Sequence, residues 1–166
     1  MIEGQGHTIG PEQQELIKTW FTRVLIEIES RWIKAVAGNL KTATELARKG
    51  KYGDALLLTE DALSLDSTDN ADFVKARTLA VCLVACRDRL KKEYEDSMTD
   101  DPETGFVALL AIERLFRGHP IETWAKDEIN ERKKEKGMSG HAMRAGKRLK
   151  AVVDRETAAV DEALKQ

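Results

Sequence analysis

Three histidines are the first side chains to consider for chemistry, because imidazole is the usual general acid and base near neutral pH. His7 follows Gly6 near the start of the chain, and His141 lies at the start of the last predicted helix, where we expect it to be exposed. His119 precedes Pro120 at a predicted helix C-terminus, where a positive charge is favoured. The three histidines are far apart in sequence and show no His-x-x-x-His spacing, so the pattern predicts no metal site. A histidine base also needs a nucleophile, and the chain contains no Gly-x-Ser-x-Gly sequence.

Two cysteines, Cys82 and Cys86, lie one helical turn apart on an apolar stripe. This placement favours free thiols in a hydrophobic core. A metal site would need two further ligands, and the neighbouring sequence offers none.

Two carboxylate pairs, Glu93 with Glu95 and Asp100 with Asp101, could act as general acid and base. Each pair lies where a predicted helix meets a loop, which favours solvated caps instead. The basic segment 132–136 is short, is interrupted by an acid and contains no aromatic residue. It therefore predicts no binding to nucleic acid.

The segment Gly6-His7-Thr8-Ile9-Gly10-Pro11 is followed directly by an amphipathic helix pattern. This order resembles the end of an α/β-hydrolase domain, where a Gly-His pair carries the catalytic histidine and the final helix follows. The resemblance covers residues 3–27. It implies that His7 is a catalytic general base only as part of an intact hydrolase, because no serine or acid of the chain matches the family. The sequence 137–140 is one residue short of a nucleophile elbow and lies in a predicted helix–helix turn.

The composition indicates one soluble helical domain. The chain has 166 residues, of which 42% are hydrophobic and 34% charged, with a net charge of -2 and only 3 prolines. Aromatic residues make up only 5%, and no apolar–polar alternation between turn residues appears. We therefore predict an all-α fold, an antiparallel helical bundle or hairpin array of about five or six helices.

The charge is distributed unevenly along the chain. Residues 54–72 contain six acids and no Lys or Arg, whereas residues 126–150 contain nine bases and four acids. Two interpretations stay open: a solvated helical surface, or a basic face that docks an acidic partner.

Apolar residues recur at spacings of three and four after Pro11, which predicts an amphipathic helix with a strong stripe. This helix either continues past Gly38 to about Lys49 or bends there. The helix at about 71–96 is apolar on nearly all sides in its middle, which predicts a place at the centre of the bundle. The last helix has a thin stripe and is predicted to be a surface element. The other predicted helices span about 104–120, 121–136 and 139–164, the last interrupted by Gly146.

The stretch from Gly50 to Asp66 resembles the turn and second helix of a tetratricopeptide repeat. Gly50 and Tyr52 match the turn, and the small residues Ala55 and Ala62 are seven apart. Alanines at this spacing allow helices to approach closely, so we expect both to be buried. The looser resemblance covers about residues 39–135 and implies stacked hairpins with a docking surface. The departures from the repeat pattern are Asn39, Thr42 and Ser67, and 67–70 is a predicted loop.

These patterns predict a non-catalytic helical interaction or scaffolding module, an accessory C-terminal region of a larger bacterial protein. The alternative is the C-terminal fragment of an α/β-hydrolase, inactive without its nucleophile and acid. In either case we expect no enzymatic activity of this chain alone and no cofactor. The expected partner is another protein or the chain's own missing catalytic domain, with no nucleic acid and no membrane. A homodimer through the first helix also fits.

The predicted organisation has a short remnant followed by one domain. Residues 1–10 form a flexible remnant segment, and 11–166 form a single helical domain. Within it, 11–35 is the hydrolase-like last helix, 36–136 the tetratricopeptide-like part and 137–166 the C-terminal helix. No signal peptide is visible, which predicts a cytoplasmic location unless an upstream export signal is missing.

Overall fold

Six α-helices and one 3-10 helix form the part of the chain that the computed structural model describes, residues 10–64 and 70–165. No strand occurs in these two ranges, so the prediction of an all-α fold with about five or six helices is confirmed. The 3-10 helix, Glu60–Ser64, follows the second α-helix. The α-helices are α1 (Pro11–Arg48), α2 (Tyr52–Leu57), α3 (Ala71–Ser97), α4 (Pro102–Leu115), α5 (Pro120–Lys134) and α6 (Met138–Ala163).

Helix α1 runs without interruption through Gly38, so the bend that the sequence left open does not form. It ends before Gly50, whose φ of 69° lies in the left-handed region that glycine adopts at low cost. The boundary predicted between residues 35 and 36 therefore falls inside a single helix of 38 residues.

Helix α4 occupies the centre of the core, because five consecutive residues, 105–109, are buried. The prediction that the middle of α3 would be central is wrong. Helix α3 buries one stripe that includes Leu79, Leu83 and Leu90, and about half of Val81 is exposed. A helix with one stripe inside packs on one side only, which explains this position.

Helix α6 is continuous through Gly146, so the predicted interruption is absent. It packs along α4 rather than lying loosely on the surface. The small side chains Ala142 and Ala145 are buried in this contact region, and Val160 closes the far end of the stripe. Alanines allow two helices to approach closely, which compensates for the thin apolar stripe.

The predicted second helix of the repeat is shorter than expected. Helix α2 ends at Leu57, and Thr59 Oγ1 donates a hydrogen bond to the carbonyl oxygen of Ala55 at 3.0 Å. Such back-bonding competes with continuation of the helix, and a 3-10 turn follows. Ala55 and Ala62 are both fully buried, as expected. The predicted loop 67–70 lies outside the described residues except for Asn70, whose side chain caps α3.

Gly53 marks the closest approach between α2 and the end of α4. A β-carbon on Gly53 would lie 2.3 Å from the carbonyl oxygen of Arg117 and 2.6 Å from that of Phe116. We expect Gly53→Ala to lower the free energy of unfolding by about 1–3 kcal/mol, although alanine is the better helix former. Chemical denaturation of the purified chain measures this change.

The matched control is Gly38→Ala in α1, where an added β-carbon has no neighbour within 4 Å. There the higher helix propensity of alanine should raise the free energy of unfolding by about 0.5–1 kcal/mol. Changes of the same sign in the two variants would contradict the close approach at Gly53.

Candidate interaction surface

The first part of α1, residues 11–32, forms an arm that contributes no buried residue to the core. Helix α1 begins to pack against the other helices at Ile33 and Val36, which lie in one cluster with Phe73. At 1.5 Å per residue, the arm is about 33 Å long. The long helix therefore has two parts, one inside the bundle and one outside it.

Local sequence explains why the arm is helical. Pro11 occupies the first helical position, and the Gly10 amide donates to Gln13 Oε1 at 3.2 Å. Arg31 donates to Glu27 across one turn at 2.6 Å. Such local contacts are weak, and most of the stability of a helix in a protein comes from packing of its apolar side. The arm therefore gains stability from any surface that covers it.

A stripe of large apolar side chains follows the arm at spacings of three and four residues. Apart from Val24, which is partly buried, its members are between 42% and 69% exposed. A helix of a globular protein normally buries such a stripe. The arm stripe consists of Leu16, Ile17, Trp20, Phe21, Val24, Leu25, Ile28 and Trp32.

The arm stripe does not point in the same direction as the side of α1 that packs in the core. Val36, Ala43 and Ala47 are the buried residues of α1. With about 100° of rotation per residue, the line through Val24 and Ile28 is turned by about 100° from these three positions. A partner can therefore cover the line through Val24 and Ile28 without displacing the bundle, whereas Leu25 and Trp32 lie towards the side of α1 that packs in the core.

The polar residues of the arm carry charges of both signs. Residues 11–32 contain four glutamates and three basic residues, Lys18, Arg23 and Arg31. The arm is thus nearly neutral, and its polar side has no basic excess.

A buried carboxylate, Glu156, connects α6 to α3. Only 1% of its side chain is exposed. It accepts hydrogen bonds from the guanidinium of Arg89 and, at 3.3 Å, from the Cys86 thiol, while Arg155 lies 2.9 Å from its other oxygen. A buried carboxylate destabilises the fold unless it is paired, so the two arginines make this cluster structural.

Sequence reasoning missed Glu156, although a signal was present. Glu156 continues the spacing of Val152, Val153 and Val160 along the apolar side of α6. A charged residue at a core position of a stripe indicates a buried ion pair, and the partner on α3 cannot be identified from spacing within α6.

Both cysteines are free, as predicted, but only Cys86 lies in the core, whereas Cys82 is half-buried. Burial raises the pKa of the Cys86 thiol, and the charge of Glu156 raises it further. Burial also raises the pKa of Cys82. Thiols with raised pKa values stay protonated and are poor nucleophiles, so both side chains act as packing groups.

His119 has a different role from the one predicted. We expected a side chain near a helix C-terminus that favours positive charge, but His119 is the N-cap of α5. Its Nδ1 accepts a hydrogen bond from the amide of Ile121 at 3.2 Å, which requires an unprotonated Nδ1. Burial lowers the pKa of His119, Arg87 lowers it further, and Glu60 opposes both.

The cap at His119 makes stability depend on pH. The pKa of His119 in the folded state lies below its unfolded-state value of about 6.5. The cap therefore makes its full contribution to the free energy of unfolding above that pH. The contribution is lost as the pH falls through the folded-state pKa. We expect denaturant unfolding to give a lower free energy at pH 5 than at pH 7.5.

His119→Asn is the matched control, because asparagine is a good N-cap that does not titrate in this range. The difference between wild type and this variant isolates His119 from the other titrating groups. Equal pH dependence in the two proteins would refute the neutral cap.

The remaining candidate residues have structural roles or lie outside the described ranges. His7 is among residues 1–9, which are not described, so its predicted role is untested; the same applies to the predicted flexible remnant. His141 is half-buried rather than exposed as expected, and its Nδ1 lies 2.9 Å from Arg144 Nη2. Asp101 caps α4 by accepting from the Thr104 amide and hydroxyl, as predicted for a cap.

The basic stretch 126–150 is largely paired with acids. Glu103 binds both Arg144, at 3.0 Å, and Arg148, at 3.4 Å. Further ion pairs engage Lys126, Arg132, Lys134 and Lys150. This pairing favours a solvated helical surface over a basic docking face.

A groove of about 670 Å³ lies between the end of α1 and α6 and is lined by Arg48, Lys49 and Arg114. Arg48 pairs with Asp161 at 3.2 Å. These cations lie at the carbonyl ends of α1 and α4, which attract positive charge and repel anions. The helix ends account for the cations, so the groove is a poor candidate for an anion site.

Within residues 10–64 and 70–165, no group of three or more His, Cys, Asp or Glu side chains is arranged to hold a metal ion. No helix in these ranges is long and apolar enough to span a membrane. Comparison with protein-family models, curated proteins and solved structures gave no match. The arm stripe is therefore interpreted from its own chemistry.

Proposed function

We propose that this chain is a non-catalytic helical interaction module and that the arm of α1 is its binding element. The observation that carries the proposal is the arm stripe, a run of exposed aromatic and aliphatic side chains on one side of a helix. Contiguous apolar patches larger than a few hundred Å² mark interaction sites. A helix with such a stripe is suited to bind another helix or an apolar groove of a protein.

The charge of the arm favours a protein partner over a lipid surface. Helices that lie on membranes are rich in Lys and Arg on their polar side, which attracts anionic lipids. Residues 11–32 have four acids against three bases. A nearly neutral arm gains little electrostatic binding energy from an anionic lipid surface. Contact with a protein still buries its apolar side.

The other reactive side chains support a non-catalytic role. The Cys86 thiol is buried and protonated, and the Nδ1 of His119 caps a helix. The His141 ring is hydrogen-bonded to the guanidinium of Arg144. The hydrolase-fragment alternative depends on His7 and residues 3–27 and stays a prediction. Under that alternative, the missing catalytic domain would cover the same stripe.

A photo-crosslinking amino acid placed at two positions of the arm tests the proposal in cells that express the chain. Phe21 lies in the arm stripe, and the exposed Thr19 lies on the opposite side of the same helix. We expect one discrete protein adduct from position 21 and none from position 19. The adduct should disappear when Ile28→Glu places a charge in the stripe. Equal adducts from both positions, or no protein adduct from position 21, would rule out docking through this surface.

A further inference from the structure

The exposed area of the arm stripe matches what one partner of a stable dimer buries. Seven of its side chains are about half exposed. At about 200 Å² for a large side chain, they offer roughly 700 Å² of apolar surface. A stable interface buries about 800 Å² per partner, whereas the largest patch on a typical monomer is about 300–600 Å². The arm alone therefore approaches the size of a complete interface.

We infer that the occupant of the stripe is a second copy of this chain, with the two arms packed antiparallel; this inference rests on the proposed function. A second arm has the same length and the same stripe. Its near neutrality avoids mutual repulsion between the copies. A two-fold symmetric contact buries the same patch on both chains and leaves no stripe uncovered.

The sequence around Val24 fits a two-fold axis at this residue. In an antiparallel pair centred there, Trp20 lies opposite Ile28 of the other copy, and each is about 40° around the helix from Val24. Val24 then faces its own copy. Val24 is the smallest residue of the stripe and therefore suits the point where the two helices come closest. The axes of packed helices usually lie about 8–10 Å apart.

The attachment of the arm to the bundle favours an antiparallel over a parallel pair. The bundle begins beside Ile33, so parallel arms would place both bundles at the same end. Beyond Trp32, the line through Val24 continues to Ala35, Asn39 and Thr42, which are small or polar and exposed. Antiparallel arms centred on Val24 overlap along residues 16–32 and keep the bundles at opposite ends, with the two Ile33 residues about 27 Å apart. Antiparallel helix dipoles also attract each other.

Sedimentation of the purified full chain tests the inference. We expect a concentration-dependent dimer of twice the 18.6 kDa chain mass. Val24→Glu places two like charges opposite each other and should give a monomer. Thr19→Glu makes the same charge change on the opposite side and should leave the dimer intact. Mixing Val24→Glu with Val24→Lys should restore a heterodimer. Val24 lies outside the core, and circular dichroism should show that all variants keep their helices.

Disulfide formation distinguishes the two orientations, in a Cys82→Ser background with Cys86 buried. A mixture of Trp20→Cys and Ile28→Cys chains should crosslink, whereas Trp20→Cys chains alone should not. A full chain that is monomeric at high concentration, or a Val24→Glu variant that stays dimeric, would overturn the inference. If a monomeric chain still gives the position-specific adduct with a different protein, the proposed function stands and only the second copy is excluded. If position 21 gives no adduct at all, both are excluded.

Discussion

The continuity of α1 is the constraint on which the rest of the structure depends. One uninterrupted helix supplies Val36, Ala43 and Ala47 to the core and carries the arm stripe outside it. Because the helix does not break at Gly38, the bundle fixes the direction in which the stripe faces. The bundle therefore extends into the arm as a helix whose order a partner completes, and binding loses less conformational entropy than it would with a wholly unstructured segment.

Close packing and one buried charge cluster hold the part of α1 that belongs to the bundle. The alanines of α1 and the glycine at position 53 allow neighbouring helices to approach closely around α4. Glu156 then joins α6 to α3 through Arg89 and Arg155. None of these contacts involves the arm, so the stability of the bundle and the binding capacity of the stripe are separable.

The periodicity of the apolar residues predicted the helices of this fold, but not which sides of these helices would be buried. The spacing after Pro11 gave an amphipathic helix, yet a stripe that meets a partner and a stripe that meets a core have the same period. Val81 and Glu156 show the same limit: the first is exposed in an apolar stretch and the second is buried in a charged one. The role of His119 could not be predicted either, because the turn after Gly118 makes it the cap of the next helix. Exposure and ion pairing depend on neighbours from distant parts of the chain, which local patterns do not encode.

In the proposed dimer the partner copy completes the order of the arm, whereas the bundle is stabilised by its own contacts. Hydrogen exchange of the backbone amides at several chain concentrations separates the two. We expect amides in residues 14–32 to become protected as the concentration rises and to lose protection on dilution, whereas amides of α4 stay protected throughout. Protection of the arm that does not change with concentration would refute the dimer.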